Sequence, residues 1–330
     1  MTSDIVQKIR DDKRLPRING DPERPLRLLA LDMDGTLLRE DHTIGPRTRE
    51  WLLELQRRGV RIALVSGRPL AGLVGFVDEL KLKEYGGLLI GVNGGHAMAF
   101  DEPDAKALEV KGVAGTELWR HTISKEVAVR FFERWKPFGL TLLAYGTQLI
   151  YVDPSPDETQ TLLGLPRQQG YAMIEKITGQ PPANQDLRAV LPEEPLKLCV
   201  AGPRPKILEG LDALKPTKSP LLSGAFSASE YYETAPAEVN KGAGLQEAAR
   251  RLKIDLTETI AFGDQDNDAT MLRHAGIGVA MGNASPMAKE AADDQTTSNE
   301  EEGIAAYLER HLVLPAMEKE KGEGAESPLH

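Results

Sequence analysis

Leu26-Arg27-Leu28-Leu29-Ala30-Leu31-Asp32-Met33-Asp34-Gly35-Thr36-Leu37-Leu38 is the stretch that decides the fold. A short apolar run ending on an acid reads as a buried parallel strand that delivers Asp32 at its carboxyl end. In a doubly wound sheet, ligands bind just beyond those ends. Asp32 and Asp34 therefore stand two residues apart where a ligand is expected. Like charges this close are unfavourable unless a cation neutralises them or one holds a proton. An Asp-Gly turn accounts for Asp34-Gly35, but it leaves Asp32 at the end of an apolar strand without a reason.

Working outward, the pattern repeats as strand, loop, helix. Residues 46–59 read as a helix with Trp51, Leu52 and Leu55 on one face, opened by Pro46 and terminated by Gly59. Residues 60–66 and 86–95 supply two more apolar strands, the latter ending in a turn. The alternation returns after residue 240, with an amphipathic helix, a strand at 259–264, and a short helix before the strand in 277–282. Two final helices follow, for which Ser285 and Asn299 are candidate N-caps. This alternation predicts an α/β fold with a doubly wound, Rossmann-like parallel-sheet core. Residues 97–234 lack strict alternation: a helix precedes a hairpin-like pair, then a polar, Pro-rich stretch (153–195), a strand, a helix and further strands. They read as an inserted α+β cap. The expected organisation is an arm (1–25), a first core segment (26–96), the cap (97–234), a second core segment (235–312) and a disordered tail (313–330).

A second acidic cluster, Gly263-Asp264-Gln265-Asp266-Asn267-Asp268, also follows an apolar strand and opens a helix. A single acid there is an ordinary cap, but three acids and an Asn in five positions exceed what a cap needs. With Asp32 and Asp34 they form an acidic set suited to a hard divalent cation such as Mg2+. Ser66-Gly67-Arg68 follows the second strand, where a hydroxyl and turn amides can hold phosphate oxygens. Lys241 in Asn240-Lys241-Gly242 begins a helix, where its charge opposes the macrodipole, so a task outside the helix is favoured. His96 beside the Asn93 turn, and the Tyr231-Tyr232 pair, read as packing residues rather than chemistry.

The formal charge of -10 argues against a nucleic-acid binder. The single cysteine, Cys199, excludes an intrachain disulfide and sits in an apolar, strand-like run. The N-terminal residues lack an apolar signal core, and no apolar run reaches the roughly 18–20 residues that span a bilayer. A cytoplasmic protein without membrane or nucleic-acid partners is expected, as a monomer or homodimer.

The motifs Asp32–Leu38, Ser66-Gly67-Arg68, Asn240-Lys241-Gly242 and Gly263–Asp268, in this order, resemble those of the haloacid dehalogenase superfamily, specifically its Cof-type phosphatases. Asn93-Gly94-Gly95 and the stretch 263–308 resemble that subfamily as well, and an insert between the second and third motifs matches its larger α/β cap. The resemblance implies an Mg2+-dependent hydrolase acting on a small phosphate monoester such as a sugar phosphate. By it, Asp32 is the nucleophile and Asp34 the acid and base. Metal ligation falls to Asp32, Asp34 (through its backbone carbonyl), Asp264 and Asp268, the last by orienting waters. Gly35, Thr36, Ser66, Gly67, Lys241 and Asn267 hold phosphate, while Arg68 and Asn93 contact substrate. A phosphosugar mutase would share these groups but return the phosphoryl group to a sugar. A non-catalytic phosphate- or metal-binding regulator would lack at least one of Asp32, Asp34, Lys241 or Asp264, and none is replaced. The Gly-rich run 276–282 lacks the spacing of a dinucleotide site.

Overall fold

The computed structural model describes residues 15–315 except 22, 103–104, 154–166, 181, 185, 188–190, 192 and 215–220. In chain order the strands are β1 (Arg17–Ile18), β2 (Leu28–Leu31), β3 (Arg61–Val65), β4 (Leu88–Gly91), β5 (His96–Ala99), β6 (Lys106–Val110) and β7 (Val113–Arg120). They continue with β8 (Thr141–Tyr145), β9 (Ile150–Asp153), β10 (Pro182–Asn184), β11 (Lys197–Ala201), β12 (Leu222–Ala228) and β13 (Tyr231–Pro236). The last four are β14 (Thr259–Gly263), β15 (Ile277–Ala280), β16 (Asp294–Gln295) and β17 (Leu312–Val313). The α-helices are α1 (Pro46–Arg57), α2 (Lys125–Trp135), α3 (Arg167–Thr178), α4 (Arg204–Leu214), α5 (Lys241–Leu252), α6 (Ala269–His274), α7 (Pro286–Ala291) and α8 (Gly303–His311).

The larger sheet has the order β16-β15-β14-β2-β3-β4-β5-β7-β6. From β16 to β4 all neighbours are parallel, which requires crossover connections; α1, α6 and α7 supply those from β2 to β3, β14 to β15 and β15 to β16. Helices over a parallel sheet bury both of its faces, and every residue of β2 and β14 is buried accordingly. From β2 the chain moves outward through β3 and β4, and from β14 the other way through β15 and β16. The order therefore reverses between β2 and β14, which is where a doubly wound sheet opens a crevice. A second sheet, β10-β9-β8-β11-β13-β12, is antiparallel except for β10-β9. Alternation along its strands sends Leu142, Leu198, Val200 and Tyr232 to pack with Phe132 and Trp135 of α2 and Ile207 of α4. Leu143, Tyr145, Cys199 and Tyr231 point to the other face, with Ile174 of α3. The molecule is thus an α/β Rossmann-like core with an inserted α+β cap, and Cys199 and both tyrosines pack as their apolar strands imply.

Several details differ from the sequence reading. Residues 97–99, 106–110 and 113–120 pair into the larger sheet, because β5 turns back antiparallel on β4, β7 adds to β5 and β6 to β7. The change of sheet falls between Arg120 and Thr141. The polar stretch 153–195 contains α3, whose amphipathic signal is weak. The N-terminal arm is partly tied down: Leu15 and Ile18 are buried, and β1 pairs with β17, so residue 313 belongs to a strand. Residues 1–14 and 316–330, the rest of the arm and of the tail, lie outside the described residues. Asn299 caps no helix, since α8 begins after Glu302; its side-chain amide donates to the Leu38 carbonyl at 2.8 Å. Ser285 does cap α7, accepting from the Ala288 N–H at 3.2 Å.

Candidate active site

Five adjacent parallel strands, β15, β14, β2, β3 and β4, present their carboxyl ends side by side. Asp32 follows β2, Ser66 follows β3, Asn93 lies just past β4, Asp264 follows β14 and Asn283 lies past β15. Asp32 is fixed by its N–H donating to the Phe262 carbonyl at 3.0 Å. Gly35 makes the turn possible: its φ is +81°, and a β-carbon there would collide with the Asp264 carboxylate. The chain can therefore bend back against Asp264, to which the Thr36 hydroxyl donates at 2.8 Å.

Lys241 is the hub. Its helix is capped by the Asn240 side chain, which accepts from the Ala243 N–H at 2.9 Å. From that first turn the ammonium reaches Asp32 Oδ1 and Asp268 Oδ1, each at 2.5 Å, with the lysine only 1% exposed. The other Asp268 oxygen accepts the N–H groups of Asp264 and Gln265, at 3.0 and 2.9 Å. Asp268 thus shapes the loop that carries Asp264 as well as pairing with Lys241.

Burial raises the Asp32 carboxyl well above its ordinary range, Asp268 and Asp264 push the same way, and Lys241 opposes them. Asp264 is also raised, chiefly by burial, against hydrogen bonds from Gln265 and Thr36. Burial alone would lower Lys241, but Asp268 and Asp32 outweigh it and the ammonium is held above its usual range. Lys241 pairs with two of these three carboxylates while Asp264 accepts from the neutral Thr36 and Gln265, so the site retains an attraction for further positive charge. Asp32, Asp264 and Asp268 each place an oxygen within 4.8 Å of the other two. This all-oxygen, buried set fits Mg2+.

The remaining predicted residues surround this cluster. The Asp34 carboxylate stands outside it, half-exposed, gripped by Arg68 through Nη2 and through Nε at 2.7 Å. Ser66 is buried, and its Oγ accepts the Arg68 N–H at 3.2 Å. Gly67 lies against Asn93, whose Oδ1 accepts from the Asn267 amide at 3.0 Å. That contact joins the loop after β14 to the loop after β4. His96 is buried in β5, with Nε2 2.9 Å from Glu117, a packing position away from the carboxylates. Sequence reasoning overlooked Asn283, which donates to the Gly35 carbonyl at 2.8 Å, and the Ser285–Asp266 hydrogen bond at 2.6 Å. The position of Asn283 just beyond a parallel strand was the available signal.

Residues 29–308 match the model of the haloacid dehalogenase-like hydrolases, and the chain belongs to that family. Within it this is a Cof-type enzyme, a phosphatase of the haloacid dehalogenase type. YxeH of Bacillus subtilis, a relative placed among phosphatases without a substrate in its name, is 28% identical over 87% of this chain and 98% of its own length. The HMP-PP phosphatase of Serratia proteamaculans is 28% identical over 88% of this chain and 96% of its own. The crystal structure of a haloacid dehalogenase-like hydrolase from Bacteroides thetaiotaomicron superposes with a TM-score of 0.73 at 28% identity, covering 86% of this chain and 99% of that one. Among the described residues, no helix is long and apolar enough to cross a membrane.

Proposed function

We propose that this enzyme hydrolyses a small phosphate monoester, such as a sugar phosphate, with Mg2+ as cofactor and Asp32 as nucleophile. The observation that carries this reading is the Lys241 ammonium bridging Asp32 and Asp268 beside Asp264, at the switch point of the sheet. An Asp32 oxygen attacks phosphorus, the bond to the leaving oxygen breaks, and Asp34 supplies that oxygen's proton. Water then attacks the phospho-aspartate, Asp34 takes the water's proton, and the bond from phosphorus to Asp32 breaks. Asp32, Asp264, Asp268 and the Asp34 backbone carbonyl would hold the ion. When bound, Mg2+ supplies charge neutralisation for the transferring oxygens. Lys241 adds a fixed positive charge, Ser66 and the amides after Asp34 add donors, and Thr36 steadies Asp264. Arg68 orients Asp34 and must exchange partners if it also touches substrate. Phosphoryl transfer depends on this kind of positioning and charge stabilisation.

The test is phosphate release from a phosphometabolite panel, with and without Mg2+, for the parent and Asp32→Asn. Turnover that requires Mg2+ and vanishes in the variant is expected. Equal release by both proteins overturns the role of Asp32, and isomerisation without release indicates a mutase.

A further inference from the structure

We propose a second ligand site in the cap, for a small molecule with an aromatic or heteroaromatic body and one anionic group. A cavity of about 370 Å³ opens where α2 and α4 meet the edge of the second sheet at β12 and β13. That volume lies in the range of small-molecule pockets, roughly 300–1,000 Å³. Its walls are Phe131, Trp135, Leu211, Leu222 and Tyr232. The Phe131 and Trp135 rings have centroids 6.1 Å apart, and those of Trp135 and Tyr232 are 6.4 Å apart, so three neighbouring aromatic rings contribute to the lining.

Two polar features say what enters. Thr234 lines the cavity and is 6% exposed, yet its hydroxyl has no hydrogen-bond partner among the described residues. A buried hydroxyl left this way costs free energy and is otherwise rare. Arg130 and Arg134, one turn apart on α2, also line the cavity. Arg130 pairs with Glu126 at 3.1 Å, but both side chains are well exposed, and such pairs exchange at little cost. On a chain of net charge -10 these arginines favour an anion, and the interior favours an apolar ring. Gly224 belongs to the same design, because a β-carbon there would strike the Tyr232 hydroxyl.

The site is distinct from the carboxylate cluster. Thr234 and Tyr232 face α2 and α4, whereas Tyr231 points to the opposite face of the sheet. That opposite face is covered by α3, which packs against residues 70–72 of the core, just beyond Ser66.

The probe is 8-anilinonaphthalene-1-sulfonate, titrated calorimetrically into the folded full chain. One saturable site per chain is expected, weakened at least tenfold in R130E/R134E and in the cavity-filling Leu211→Trp. R49E/R273E carries the same charge change on exposed core positions and should bind like the parent. Should Leu211→Trp fail to fold, the two charge-reversal pairs decide alone. Absence of a saturable site, or equal weakening by both pairs, overturns the proposal.

Discussion

Lys241 concentrates the energetics of the site in one side chain. Its ammonium is the cation paired with Asp32 and Asp268, all three being buried. Removing one partner of a buried ion pair typically costs about 3–5 kcal/mol, because the other charge is left uncompensated. Lys241→Met should therefore lower stability by about that amount in denaturant titrations without divalent cations. Added Mg2+ should restore some of the loss, since it can neutralise the same carboxylates. Phosphate release should fall by about 10²-fold or more, the scale of removing a preorganised electrostatic group. Unchanged stability in the metal-free variant would show that the carboxylates do not depend on this ammonium.

At the scale of elements, α5 holds Lys241 in place from a well-formed helix. Midway along it, Glu247 accepts from Arg250 Nε and Arg251 Nε of the last turn, each at 2.7 Å. Hydrogen bonding from Arg250, then from Arg251, holds the Glu247 carboxyl down to about 2, against burial. A carboxyl depressed in the folded state stabilises it above the ordinary glutamate range and loses that contribution as pH falls toward the folded value. The melting-temperature gap between the parent and Glu247→Gln should accordingly be widest near neutral pH and close between about pH 5 and 2. A gap independent of pH would sink this account of the helix end. The effect should be small, because these side chains are partly exposed and screened.

Across the whole molecule, the two sheets have separate apolar cores. Phe132 is fully buried in the second, and Phe→Ala in a core typically costs about 3–5 kcal/mol. Phe132→Ala should strip hydrogen-exchange protection from β8, β11 and β13 while β2, β3 and β14 keep theirs. Uniform loss across both sheets would mean that they unfold as one unit.

The sequence alone determined the α/β class, most of the core elements and the acidic and basic residues that the structure gathers at the strand ends. Buried parallel strands are continuous apolar runs, and Asp32, Ser66 and Asp264 each sit at the end of one. Lys241 was legible because a lysine opening a helix opposes the dipole. What required the tertiary structure was every feature set by long-range pairing. The β5–β7 extension, the β1–β17 clasp and the weakly amphipathic α3 carry little local signal, so only their partners define them. The same holds for the Arg68 grip on Asp34, the Asn283 contact with Gly35 and the cavity over Thr234. Chemistry is written where a strand ends, but a contact between residues hundreds of positions apart exists only once the sheet has brought them together.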